Sequence, residues 1–346
     1  MAVVGAGYWG PNLARNFRAS RDWDLAVICD LDIERAQSVA DGVGGVPVSA
    51  SLDDVLADPL LDAIAIATPA RTHHPIVMAA LKAGKHVIVE KPLADERSRG
   101  AEMVAEAKAR GLVLMADHTY CYTPAVLKMR ELIADGFLGD ILFVDSVRIN
   151  LGLIQPDVDV FWDLAPHDLS IMDFILPGGL DVSTVAAHGA DPLSTGKSCI
   201  GYLSMPLPGG AIAHVHVNWL SPTKIRQMVI GGTKRTLVWD DLNPQQRISV
   251  YDRGVDLQLQ SKNTAVDARA SNISYRLGDT WSPALPEHEA LAGVATEFAA
   301  AIREGREART SGSSGLRVLS VLEAAAGSLQ TGGAPYPIDV TDPIQG

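Results

Sequence analysis

The chain opens with a short apolar run, Ala2–Val4, that passes directly into Gly5-x-Gly7-x-x-Gly10 and then into a helical pattern over Pro11–Ala19. A strand, a glycine turn and a helix in that order leave little choice of fold. Gly5 permits the tight turn, Gly7 lets the backbone approach a pyrophosphate, and Gly10 lets the helix pack closely on the strand, with its N-terminus aimed at the anion. Tyr8 and Trp9 fill the variable positions and are expected to flank the same ligand. Asp30 ends the next apolar run, Leu25–Cys29, about twenty residues past Gly10. A carboxylate there accepts from ribose hydroxyls and repels a 2′-phosphate. No arginine follows it immediately, so NAD is expected rather than NADP. Asp32 is less suited to the ribose and is expected to cap a helix from Ile33.

The same alternation continues. Apolar runs at Ala63–Ala67, His86–Val89 and Val113–Ala116 have the continuous character of strands buried on both faces. Helical patterns lie between them at Ile33–Asp41, Leu52–Ala57, His74–Ala83 and Asp95–Arg110, with Ser51 and Asp95 as caps and Gly111 as a stop. This is an α/β chain with a doubly wound parallel sheet at its N-terminus. The pattern changes near residue 120. Thr123-Pro124 starts a helix that ends at Gly136. Strand-like segments then dominate: Ile141–Leu151, Ser183–His188, Ser198–Met205, Ile212–Leu220, Ile225–Ile230 and Thr236–Asp240, with a hairpin turn at Pro206–Gly210. Helices are expected at Glu287–Glu304 and Leu316–Ser328, a Ser/Gly loop at Thr310–Gly315, and a loosely held tail over the last ten residues. The division expected is 1–120 for a dinucleotide-binding unit and 121–346 for an α+β unit with a largely antiparallel sheet that binds substrate and joins subunits.

A length of 346 residues suits two domains, and 47% hydrophobic residues can fill their cores. A net charge of −12 argues against nucleic acid and leaves a cationic substrate open. No apolar run is long enough to span a bilayer, so no membrane partner is expected. With the glycine turn at residue 5, no leader peptide is expected, and the brevity of Ala2–Val4 suggests that a residue or two precede it. Cys29, Cys121 and Cys199 lie far apart without metal-ligand spacing, which fits a reducing cytoplasm and predicts no metal. Alternation in Ile212–Leu220 and Thr236–Asp240 predicts a broad open face carrying Trp219 and Trp239, covered by a second copy in a dimer or tetramer.

Chemistry concentrates at three further points. Thr68-Pro69 ends one strand at the edge where such sheets bind ligands, and His73 and His74 open the next helix, where either is placed to touch cofactor or to be a plain helix start. Glu90-Lys91-Pro92 ends another strand. A lysine after His-Val-Ile-Val belongs to a cleft, where it donates to a developing alkoxide or loses its proton through desolvation. Pro92 fixes the turn there and is suited to a cis bond. Trp162-Asp163-Leu164-Ala165-Pro166-His167-Asp168 places Asp163 and His167 one helical turn apart, although Pro166 in a first turn would leave Asp163 at the helix boundary. His167 is the natural base at neutral pH. Asp168 and Asp173 read as ordinary helix polar residues.

The Glu-Lys-Pro and Asp-x-x-x-His motifs, with the glycine turn, resemble the Gfo/Idh/MocA oxidoreductases over nearly the whole chain. The resemblance implies a Rossmann domain followed by an open-faced antiparallel sheet, with NAD and a sugar in the cleft between. It gives Lys91, Asp163 and His167 catalytic roles, and places Tyr120, Tyr122 and Trp162 with them around the substrate and Glu90 with the cofactor. Gly5–Phe17, Trp162–Ile175, Asn218–Lys224 and Trp239–Asp241 are similar to the branch that oxidises C3 of nucleotide-linked sugars ahead of an aminotransferase, and to dehydrogenases and ketoreductases of antibiotic sugars. Cys121-Tyr122 departs from an aromatic or Arg-Phe pair common in the family. Three functions therefore stand open: a sugar dehydrogenase, a keto-sugar reductase using the same groups in reverse, and a ligand-sensing regulator of the same fold. An intact Lys91–His167 pair disfavours the last.

Overall fold

The computed structural model describes residues 1–155, 157–258 and 272–338. Strands β1 (Ala2–Val4), β2 (Val27–Cys29), β3 (Val48–Ser49), β4 (Ala63–Ile66), β5 (His86–Glu90) and β6 (Leu114–Asp117) form a parallel sheet in the order β3-β2-β1-β4-β5-β6. Helices α1 (Gly10–Ala19), α2 (Ile33–Gly42), α3 (Leu52–Ala57), α4 (His73–Lys82) and α5 (Arg97–Arg110) connect them. Helices on both sheet faces explain why β4 is wholly buried and reads as an uninterrupted apolar run. The strand order reverses between β1 and β4, which opens a crevice at their carboxyl ends. Helix α5 starts at Arg97, not Asp95. The Asp95 carboxylate is taken by Arg99 at 2.7 Å and does not cap.

Helix α6 (Pro124–Ala134) is capped by Thr123, which accepts from the Val126 amide. The second sheet follows, from β7 (Ile141–Leu151), α7 (Val160–Ile175), β8 (Thr184–Ala190), β9 (Ile200–Pro206), β10 (Ile212–Asn218), β11 (Leu220–Gly232), β12 (Thr236–Asp240), β13 (Ile248–Gln258) and β14 (Asn272–Trp281). Helices α8 (Ala290–Glu304) and α9 (Gly312–Gln330) and edge strand β15 (Tyr336–Pro337) complete the described chain. The strand order is β14-β13-β12-β11-β7-β10-β9-β8-β15, and every neighbour pair is antiparallel except β7 with β10. The fold class is as the motifs imply.

Several details differ from the sequence reading. Strand β11 begins at Leu220, and a register shift between Leu220 and Ile225 absorbs Ser221–Lys224. Strands β13 and β14 had no expectation, because their polar-rich alternation carries little apolar signal. Thr310–Gly315 is not a loop. Ser311 caps α9 by accepting from the Ser314 amide. Its glycines serve packing: a Cβ on Gly315 would come within 3.1 Å of the Leu93 Cβ, and one on Gly312 within 2.9 Å of Leu114. Helix α9 thereby docks against α5 and β6, bringing the C-terminal part of the chain back to the first sheet.

Trp219 and Trp239 do not lie on the open sheet face. They are 1% and 0% exposed. Strand parity puts Trp239 with Leu237, Met228 and Val217 on the inner face, against Tyr120, whose ring centroid is 6.2 Å from that of Trp239. The outward face carries Asp145, Ile212, His214 and Tyr202 instead. The expected loose tail lies almost wholly outside the described residues. Among the described residues no helix is long and apolar enough to cross a membrane. The three cysteines are buried and carry free thiols.

Candidate active site

The crevice is built first by the glycine turn. Gly5 has φ +99, and a Cβ there would meet the Ala67 carbonyl oxygen at 2.7 Å. A Cβ on Gly10 would lie 2.1 Å from the Gly5 carbonyl oxygen, so the helix starts too close to the strand for any side chain. At Gly7 a Cβ meets nothing within 4 Å. The turn therefore offers open space where a pyrophosphate must approach, and the residues fit a dinucleotide. Tyr8 is 94% exposed beside that space, with Trp9 half-buried behind it. Asp30 closes the other side. Its carboxylate accepts from the Ala6 amide at 2.6 Å and from the Asp32 amide at 2.9 Å, which fixes it at the end of β2. Asp32 caps α2 by accepting from the Arg35 amide at 3.1 Å.

Thr68 and Pro69 follow β4, and the Thr72 hydroxyl donates to the Thr68 hydroxyl at 2.8 Å. His73 is 1% exposed, its ring nitrogens 2.8 Å from the Thr68 carbonyl oxygen and 2.9 Å from that of Pro92. The imidazole ties the end of β4 to the turn after β5. It sits behind the crevice, so it supports the ligand-bearing turns and does not face the open space. His74 pairs with Glu102 at 2.8 Å.

The Lys91–Pro92 peptide is cis. Lys91 leaves the sheet edge and crosses to α7, where Nζ donates to the Asp163 carbonyl at 2.9 Å and lies 3.5 Å from its carboxylate. Helix α7 is capped by Asp159, which accepts from the Trp162 amide, and it carries Pro166 in its interior. Asp163 is therefore inside the helix and shares a face with His167. The proline has no N–H for the Trp162 carbonyl and crowds it, which loosens the helix backbone next to the carbonyl that Lys91 uses. The other Asp163 oxygen accepts from the Trp219 indole at 3.1 Å. Both its oxygens are thus directed to Lys91 and Trp219, not to His167.

His167 is half-buried and packs edge-on against Tyr120, with centroids 5.2 Å apart. Burial holds its imidazole well below the ordinary value, and the charges of Lys91 and Arg148, with smaller effects of His118 and Arg226, push the same way. It is a neutral acceptor at physiological pH. Two cations lie over Tyr120, with Arg148 4.6 Å and Arg226 6.0 Å from its ring centroid. Arg148 is itself buried and neutralised by Asp168 at 2.7 Å, and Ser146 donates to the same carboxylate at 2.9 Å. Arg226 pairs with Asp241 at 3.4 Å.

The structure thus gathers Lys91, Asp163, His167 and Tyr120 at one end of the crevice, with Trp162 half-buried on the same helix. It separates two residues from that space. Tyr122 is 2% exposed and its hydroxyl bonds Thr310 at 2.9 Å, so it is a core residue. Glu90 has its Oε1 enclosed next to Asp117 and not open to the crevice. Asp168, read as an ordinary helix polar residue, is the buried anchor of Arg148. Asp173 is likewise buried and held by Arg317 at 2.6 Å. Arg148 within the strand pattern Ile141–Leu151 was the available signal for that pairing. Arg226 carries no such signal, and Trp219 has one only through the resemblance over Asn218–Lys224 and through a strand alternation that placed it on the wrong face.

Comparisons with known proteins bear on the family and the fold. A family model described as the oxidoreductase family with an NAD-binding Rossmann fold matches residues 1–118, and the Gfo/Idh/MocA C-terminal domain matches residues 126–238. An uncharacterized oxidoreductase of Streptococcus pneumoniae is 33% identical over 45% of this chain, and the match spans 42% of that relative's length. The UDP-N-acetylglucosamine 3-dehydrogenase of Acidithiobacillus ferrooxidans is 28% identical over 92% of this chain and 93% of its own. A solved structure of that enzyme covers 95% of this chain and 97% of its own, with a TM-score of 0.79. The structure of GenD2 from gentamicin A biosynthesis, in complex with NAD, is 25% identical with a TM-score of 0.79, covering 98% of this chain and 96% of its own. With a glycine turn shaped for NAD and a lysine and histidine at its far end, the chain belongs to the Gfo/Idh/MocA family of NAD-dependent oxidoreductases.

Proposed function

We propose that this enzyme oxidises a secondary hydroxyl of a sugar, at C3 of a nucleotide sugar or amino-sugar glycoside, producing a ketone that an aminotransferase then uses. The observation that carries the reading is the convergence of Lys91, Asp163 and His167 at one end of the crevice that the glycine turn opens. The names of relatives support the substrate class: a UDP-N-acetylglucosamine 3-dehydrogenase, a D-glucoside 3-dehydrogenase and inositol 2-dehydrogenases. GenD2, from an antibiotic pathway, supports the glycoside alternative.

NAD, when bound to Gly5–Gly10 and Asp30, supplies the hydride acceptor. Everything else falls to the side chains. Neutral His167 takes the proton of the reacting hydroxyl. Lys91 donates a hydrogen bond to the same oxygen as negative charge grows on it. Asp163 orients Lys91, and Trp219 orients Asp163. Tyr120 holds the His167 ring edge-on, and Trp162 and Tyr120 supply apolar walls for a sugar ring. In reverse the same groups would reduce a keto-sugar, with His167 returning the proton.

The chain is also read as two units, 1–120 and 121–346, in a cytoplasmic homo-oligomer. The outward face of the second sheet, with Tyr202 stacked on His216 at 4.4 Å and Ile212 half-exposed, is the surface for a second copy. Light scattering at micromolar concentration showing only monomer would remove that part.

The central test follows NADH absorbance with a panel of nucleotide sugars, amino-sugar glycosides, glucosides and inositols, with NMR of the product to fix the carbon. Oxidation at C3 is expected. A protein that binds NAD but reduces none of it with any sugar would overturn the reading.

A further inference from the structure

Strands β5 and β6 end side by side, with Glu90 paired in register with Asp117. Asp117 is 2% exposed. Glu90 Oε1 and Asp117 Oδ2 are both sealed from solvent and meet no N–H or O–H donor among the described residues. The two carboxyls nevertheless lie within hydrogen-bonding reach of each other. Their other oxygens are served: Oε2 of Glu90 by the Lys91 amide at 3.2 Å, and Oδ1 of Asp117 by the Thr119 hydroxyl at 2.9 Å. The Trp9 indole N–H, from the glycine turn, is also enclosed without a well-aligned partner and sits next to Asp117. Two ionised carboxylates cannot face each other in such a place, since neither solvent nor a donor screens them. One proton resolves the geometry. It turns one acceptor into a donor to the other, and leaves Asp117 to receive the indole and the threonine. Burial, then Asp117, pushes Glu90 well above the carboxylate range, and burial raises Asp117 as well, so the pair retains a proton.

We propose that Glu90 and Asp117 hold a single proton between them at neutral pH, so that the pair places one negative charge behind Lys91 and acts as a positioning device for it. The shared proton rests on the adjacency and enclosure of the two carboxyls. The effect on Lys91 rests on the reading of that lysine given above.

The other charged groups facing this cluster are few. Lys91 acts on Glu90 and on His118. Asp163 lies on the far side of Lys91, on α7, with His167 one turn further along. Asp173, also on α7, faces His118 and is neutralised by Arg317. Cys121 and Tyr122 remain neutral, burial raising both far above physiological pH. The pair thus places an anion next to Lys91, at the ends of β5 and β6.

Infrared spectroscopy of the cofactor-free protein at pH 7 tests the proton directly. A protonated-carboxyl C=O band is expected, and it should vanish in both Glu90→Gln and Asp117→Asn. The second arm is the pH profile of kcat/KM. Glu90→Gln keeps the pair at one negative charge, so the alkaline limb should stay in place whatever happens to the rate. Glu90→Gln/Asp117→Asn removes the charge, and that limb should fall by about one unit, as loss of a neighbouring opposite charge predicts. Absence of the band in the wild type overturns the shared proton. So does a shift in the Glu90→Gln single variant that is about half that of the double variant, which would mean two charges. An unmoved limb in the double variant overturns the link to Lys91. If Asp117→Asn fails to fold, the band in Glu90→Gln still decides. If no sugar is oxidised at all, the functional reading fails, while the infrared arm still judges the pair.

Discussion

Lys91 Nζ donates to the main-chain carbonyl of Asp163 at 2.9 Å, a bond that spans from the edge of the parallel sheet to helix α7. It couples the cofactor-binding half of the crevice to the helix that carries His167. The lysine is thereby fixed by backbone as well as by the carboxylate at 3.5 Å, so its position depends on two elements from opposite sides of the crevice.

Lys91→Ala and His167→Ala should each reduce turnover by about 10²–10⁴-fold, the usual range for a general acid or base. NAD affinity should change little, because Gly5–Gly10 and Asp30 hold the other end of the cofactor. The two losses should be non-additive, since both groups act on one oxygen and one proton. The acidic limb of kcat/KM should lie below the ordinary imidazole range, because burial and nearby cations keep His167 neutral. That limb should disappear in His167→Ala. Turnover within a few-fold of wild type in that variant would move the base to Lys91.

The first sheet was legible in the sequence because its strands are buried on both faces and stand out as apolar runs. Its ligand turns were equally plain, since Gly5 and Gly10 are forced by backbone contacts that no other residue tolerates. The second sheet was legible only where one face is apolar. The face itself was misassigned: alternation says that Trp239 and Val238 point oppositely, but not which side meets α7. The roles of Asp168 and Asp173 were hidden for a related reason. A buried carboxylate looks like any helix aspartate until its arginine, 20 residues away for Arg148 and 144 for Arg317, is placed beside it. Pairings that distant leave no local pattern.

NAD should bind more tightly than NADP. Asp30 is held by two main-chain amides and cannot swing away from a 2′-phosphate. Repulsion at close range costs on the order of a kcal/mol or more, at least several-fold in affinity. Asp30→Ser should narrow the gap. Arg35, now paired with Asp32 at 2.9 Å and 4.0 Å from Asp30, would then be the nearest cation. Fluorescence titration of both cofactors checks this, and tighter NADP binding by the wild type would sink it.

Arg148 and Asp168 form a pair whose side chains are each 2% exposed. Removing one partner leaves a buried charge alone. Arg148→Met or Asp168→Asn should each cost about 3–5 kcal/mol of stability. The double variant Arg148→Met/Asp168→Leu should be less destabilised than the sum of two such losses, because it leaves no orphaned charge. Urea denaturation monitored by tryptophan fluorescence measures all three. Additive losses would mean that the pair is not coupled.

Stability should fall with acidity through the buried histidines, most clearly His118. It is 1% exposed, and neither ring nitrogen has a partner among the described residues. Burial lowers its pKa from the ordinary 6.5 to about 4, with Asp173 opposing and Lys91 assisting. The folded value is depressed, so the unfolded chain takes up a proton below pH 6.5 that the folded chain refuses until about pH 4. Stability is therefore intact above the unfolded value and is lost as pH falls between the two. Each unit in that window costs about 1.4 kcal/mol per histidine. His73 and His167 shift in the same direction and steepen the loss. His118→Phe fills a similar volume without titrating. Its stability should decline less steeply than that of the wild type between pH 6 and 5, by roughly 1.4 kcal/mol over that unit. Measuring urea midpoints and slopes at both values gives the difference directly. Equal declines would mean that His118 is already charged in the folded protein, with a partner that its unpaired ring nitrogens do not reveal.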